Sequence, residues 1–138
     1  METIKISLPT AFMLETLRAN GVTDEQILKQ INKKDVSPWQ KIDTTFDFQE
    51  LVNLATNSEK DFESIITDGY SVKFMTINGL KNLLRLKFNK IQDQDYQQTE
   101  KGITDLILTE QELATIKQML SKNCILHVYG NKISIDFY

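Results

Sequence analysis

The chain has 138 residues, with 16 Lys and Arg against 19 Asp and Glu and a net charge of −3. Its apolar fraction of 41% and only five Gly and two Pro exclude a low-complexity or linker-rich protein. One domain spanning 1–138 is expected at this length, large enough to bury a core without staples. The single cysteine, Cys124, rules out an internal disulfide and fits a cytoplasmic location. The opening METIKISLP lacks the continuous apolar run of a signal peptide, and no window approaches a membrane span. Only Arg18 and Arg85 are arginines, and this Lys-rich usage points by association to an AT-rich bacterial or phage genome.

In chain order, Ile4, Ile6 and Leu8 alternate with Thr3, Lys5 and Ser7, which predicts a half-buried strand. Pro9 then opens a helix to about Asn20. Thr23 with Gln26 forms a capping box for a second helix to about Asn32, burying Ile27, Leu28 and Ile31. Ser37-Pro38-Trp39-Gln40 predicts one short helical turn pinned by Trp39. Asp47 with Glu50, and Ser58 with Asp61, start two further helices. After Asp68-Gly69, alternation of Tyr70, Val72 and Phe74 predicts a strand.

Thr76 caps a helix expected over 77 to about 85, with Ile77, Leu80, Leu84 and Phe88 on one face. From Leu84 the pattern also reads as strand, so a short extended segment is expected after 85. Residues 89–102 are polar and aperiodic. They form either a functional surface loop or conceal part of a strand. Ile103 to Leu108 reads as a strand, and Thr109 with Glu112 caps a last helix. Two alternating runs around Gly130-Asn131 predict a C-terminal hairpin. Helices dominate 9–68 and strands 69–138. The fold class is therefore α+β, with a helical N-terminal half packed on a mostly antiparallel sheet that the N-terminal strand joins.

Charge is unevenly placed. Residues 69–90 carry Lys73, Lys81, Arg85, Lys87 and Lys90 and no Asp or Glu; the rest of the chain has 11 bases against 19 acids. A concentrated field of one sign is a physical reason for a contact surface. Asn78, Lys81, Asn82 and Arg85 share the polar helix face, and under either reading Lys87 falls on the solvent side. The candidate partner-binding residues are Lys73, Asn78, Lys81, Asn82, Arg85, Lys87 and Lys90. They suit an acidic protein partner, with nucleic acid as the alternative, disfavoured by the acidic remainder and by few interleaved aromatics.

Other motifs carry less. Residues 11–32 resemble the helix-turn-helix of bacterial repressors, with Gly21 in the turn and Ile27 six residues on. Leu17 stands where that pattern has a small residue. Asp24 and Glu25 would repel DNA at the start of the second helix, where they instead complement its dipole. A plain helical hairpin is the simpler reading. The last helix and hairpin could form a winged helix, but Glu110 and Glu112 raise the same objection. Cys124 and His127 point to opposite faces of a strand, and no second Cys or His completes a zinc site. No positioned partner for His127 as a base is evident locally. Asp93 and Asp95 lack the Gly and distal Glu of a calcium loop. No phosphate loop or nucleophile motif is present. The expectation is a non-enzymatic regulatory or inhibitory interaction module, with no cofactor, metal, membrane or small-molecule substrate implied.

Overall fold

In a computed structural model, residues 3–138 are described. The N-terminal half supplies β1 (Lys5–Ile6), α1 (Leu8–Ala19), α2 (Asp24–Asn32), α3 (Ser37–Gln40), α4 (Gln49–Asn57) and α5 (Glu59–Asp68). The C-terminal half supplies β2 (Ser71–Val72), α6 (Ile77–Phe88), β3 (Gln97–Gln98), β4 (Gly102–Leu106), α7 (Glu110–Met119), β5 (Cys124–Tyr129) and β6 (Lys132–Phe137). The fold is α+β: helices pack with a four-stranded antiparallel sheet of order β3-β4-β6-β5 that ends in a hairpin.

The caps act where hydroxyls precede the helices. Thr23 and Thr109 close full capping boxes with Gln26 and Glu112, and Ser58 and Thr76 each accept one amide of the following first turn. Asp47 differs from expectation. Helix α4 begins at Gln49 with Phe48 at its cap, and the Asp47 carboxylate accepts the Gln49 N–H at 3.1 Å from just outside. Phe48 takes the cap position because its ring is wholly buried, edge-on to Trp39 and Phe46.

The N-terminal strand does not join the large sheet. It pairs in parallel with β2, Lys5 beside Ser71 and Ile6 beside Val72, as a separate two-stranded ribbon. The ribbon ends early because the chain bends after Lys73, whose N–H reaches the Ile6 carbonyl at 2.8 Å. Met75 is then held by the α7–β5 turn. Its N–H donates to Ser121 Oγ at 2.7 Å and its carbonyl accepts from Asn123 Nδ2 at 2.9 Å. Those bonds, rather than a shared sheet, link the ribbon to the sheet's hairpin.

The basic segment is helical for longer than its alternation suggests. Helix α6 continues through Phe88 and stops at Asn89, which is left-handed at φ 58°. The Asn89 N–H closes the end on the Arg85 carbonyl at 3.1 Å, the bond of an αL cap, and the Lys90 N–H reaches the Leu84 carbonyl at 3.0 Å. The helix wins over the strand because Leu80, Leu83 and Leu84 pack as one stripe into the core. It also lies close to α1: a Cβ on Gly79 would come within 2.7 Å of Leu8 Cδ1.

The 89–102 segment does conceal strand. Gln97–Gln98 pair with Ile103 and Thr104, and Tyr96 is buried. Asp95 accepts the Ile91 N–H at 2.7 Å, and the Asp93 N–H donates to the Tyr96 carbonyl at 2.7 Å. Burial, then the charges of Asp93 and Asp95, raise the Tyr96 phenol above its ordinary range.

Candidate functional site

Helix α6 has two polar clusters on different sides. On the outer side, Asn78, Asn82 and Arg85 are exposed and Lys81 is half-buried. Lys81 Nζ donates to Gln98 Oε1 at 2.9 Å, reaching from α6 to the edge strand β3. Arg85 and Asn82 line a shallow groove of about 290 Å³ with Phe12, Phe46, Leu86 and Asp43. Just before α6, Lys73 is exposed and Phe74 is 63% exposed. Lys90, past the helix end, is half-buried. Among the described residues, Lys73, Lys81, Arg85 and Lys90 have no carboxylate partner.

Lys87 belongs to the other side, contrary to the solvent-facing position expected for it. Seven residues beyond Leu80, it follows the Leu80, Leu83, Leu84 stripe inward. Its Nζ contacts both oxygens of Glu15 at 3.1 and 3.2 Å, with the lysine side chain 20% exposed and that of Glu15 1%. The cause is the continued helix: a strand would have turned Lys87 outward, whereas helical geometry turns it to α1.

The same carboxylate gathers two more donors. Tyr70 Oη donates to Glu15 Oε2 at 2.5 Å, and Arg18 Nη1 donates to that oxygen at 3.0 Å. Arg18 continues outward to Asp24 Oδ1 at 3.0 Å and to the Ile66 carbonyl at 3.1 Å. Two carboxylates and two cations thus form a neutral network joining α1, α2, α5, the residue before β2 and α6. Burial lowers the Arg18 guanidinium, but Glu15 and Asp24 outweigh it and hold the group above its ordinary value. Tyr70 is pushed strongly upward, first by burial and then by the charge and hydrogen bond of Glu15. A phenol so held donates its hydrogen bond and stays neutral. The network is closed on itself, and its chemistry is that of a structural clasp.

The outer sheet face holds a third cluster. His127 Nε2 lies 3.4 Å from Asp136 Oδ2, and the imidazole stacks on Tyr129 with ring centres 6.1 Å apart. Asp136 is the local partner that the linear sequence did not reveal, because it sits diagonally across the β5–β6 ladder. Ser134 lies directly opposite His127, but its hydroxyl is 2.7 Å from Thr104 Oγ1 and bonds there. Cys124 does point to the opposite face. Its thiol is raised by burial, a shift opposed by hydrogen bonds from Ser121.

The terminal hairpin is built into the four-stranded sheet through β4–β6 pairing, so it does not stand free as a wing. The start of α2 carries exposed Asp24 and Glu25, with Asp24 engaged by Arg18. No helix among the described residues is long and apolar enough to cross a membrane. Comparison with protein-family models, with curated proteins and with solved structures finds no match to this chain.

Proposed function

We propose that the chain is a non-enzymatic regulatory or inhibitory module of the cytoplasm that binds an acidic surface on another protein. Its contact face is the outer side of α6, with Asn78, Lys81, Asn82 and Arg85, extended by Lys73 and Phe74. The observation that carries this reading is that Lys73, Lys81 and Arg85 have no carboxylate partner among the described residues, with exposed Phe74 next to Lys73 in the chain. Charges without internal partners steer encounter, and an aromatic ring beside them supplies contact area. The groove at Arg85, with Phe12, Phe46 and Leu86 around it, suits an apolar residue of the partner; its one carboxylate, Asp43, already accepts the Thr45 N–H and leaves Arg85 as the groove's one cation. Lys87 is no part of this face.

Nucleic-acid binding by the same residues is the weaker reading. The inward turn of Lys87 removes one of five bases, and a smaller charge gives weaker and less salt-sensitive phosphate binding. The test is capture of a partner protein by the native chain and by the Lys81→Glu, Arg85→Glu double variant. Loss of capture with unchanged thermal stability is expected. Equal capture by both proteins would remove this face from the interface. Retarded migration of generic DNA at about 50 mM salt, lost as salt rises, would favour the nucleic-acid reading instead.

A further inference from the structure

The four-stranded sheet has two edges, and they differ. The β3 edge is two residues long and is bridged by Lys81 through Gln98. The β5 edge is six residues, Cys-Ile-Leu-His-Val-Tyr, with no Lys, Asp, Glu or Pro. Its pairing with β6 runs without a break from Cys124 to Tyr129, so no bulge twists it away. Natural edge strands are commonly guarded by such devices. Beside this edge, Ile125, Val128 and Tyr129 are exposed.

The ladder parity says which backbone groups are free. The Tyr138 N–H donates to the Asn123 carbonyl at 2.9 Å, which makes 123, 125, 127 and 129 the residues bonded to β6. Cys124, Leu126 and Val128 therefore direct their N–H and C=O groups outward. The Cys124 N–H is already used by the Ser121 carbonyl at 3.1 Å, whereas among the described residues Leu126 and Val128 make no backbone bond outside the ladder.

We infer that β5 is a homodimer edge, which pairs antiparallel with β5 of a second copy about a two-fold axis at His127. This is the register that uses both free residues. Leu126 meets Val128 of the second copy and Val128 meets its Leu126, giving four intermolecular backbone hydrogen bonds. An axis at Leu126 would call on the occupied Cys124 N–H, and an axis at Val128 would run past the strand end at Gly130. On the outer face the chosen register sets Ile125 opposite the second copy's Tyr129, twice, and the two His127 rings opposite each other. The match is thus self-complementary. It also places a strand without Lys, Arg, Asp or Glu at the one place where two chains of net charge −3 must meet. An eight-stranded sheet continuous across both copies is the result.

The test measures solution mass by sedimentation from micromolar to hundreds of micromolar protein. A concentration-dependent rise towards twice the chain mass is expected. Ile125→Lys, on the exposed outer face, should weaken the dimer roughly tenfold or more by losing two Ile–Tyr pairs, with unchanged thermal unfolding. In the C124S/H127C variant the two new thiols face each other in a non-hydrogen-bonded pair, about 4.5 Å apart at Cα. That spacing allows a disulfide, so air oxidation should give a covalent dimer; C124S/Q97C, on the other edge, should give none. A chain that stays monomeric throughout the range overturns the inference. So does a dimer untouched by Ile125→Lys, or one that H127C does not trap.

Discussion

Arg85 and Lys87 are two residues apart on one helix, and they do opposite work. Arg85 faces a shallow open groove and has no carboxylate partner among the described residues. Lys87 is drawn against α1 to neutralise a carboxylate that is 1% exposed. A basic segment is therefore not one object. Its charges divide according to where the helical period carries them: the inward one meets a buried carboxylate, and the outward ones meet none among the described residues.

The sharpest break of this contrast is Lys87→Met. It leaves the buried Glu15 with one cation fewer and should cost about 3 kcal/mol in denaturant-induced unfolding. A loss below about 0.5 kcal/mol would mean that Lys87 behaves as a surface residue.

Tyr70→Phe comes next, at about 2 kcal/mol near neutral pH, because a phenol bonded to a charged group is lost. This variant also sharpens the contrast through pH. The folded-state phenol is raised, so its contribution is fully present below the unfolded value of 10 and is lost as pH rises beyond it. Above about pH 10, the native protein should lose stability more steeply than Tyr70→Phe in unfolding measured across the alkaline range. Parallel curves would remove Tyr70 from the clasp.

The smallest stability effect belongs to the outward face. Lys81→Glu with Arg85→Glu should shift unfolding by no more than about 0.5 kcal/mol, while partner capture is lost. A large destabilisation would show that these two bases also serve the fold.

Much of the architecture is local and could be read directly. Thr23, Ser58, Thr76 and Thr109 each stand where a hydroxyl can accept a first-turn amide, and each does. Gly130 at φ 63° opens the two-residue turn that its sequence announced, and positive φ at the first central position alone matches type II′. The departures are set by packing: at α4 burial of Phe48 displaces the expected Asp47 cap, and elsewhere the deciding partner lies on another element. Apolar periodicity counts Leu80, Leu83 and Leu84 but passes over Lys87, although Lys87 extends the same stripe. Its reason for facing inward, Glu15, lies 72 residues away. The choice of β2 over the large sheet by β1 likewise depends on a partner remote in sequence, whereas Asp136 lies across the expected hairpin from His127 and is fixed by that hairpin's register. The polar β3 strand carries no alternation at all, so only its neighbour β4 defines it.

The separation of Glu15 from its donors also bears on how the chain matures. Tyr70 is 55 residues downstream and Lys87 is 72. A nascent chain that has emerged only as far as α5 holds Arg18 but neither of the other two donors. Helix α1 can form early from local bonds, yet its Glu15 face has reason to stay in water until α6 arrives. Closure of this half is therefore a late event, coupled to synthesis of a segment that lies past its midpoint.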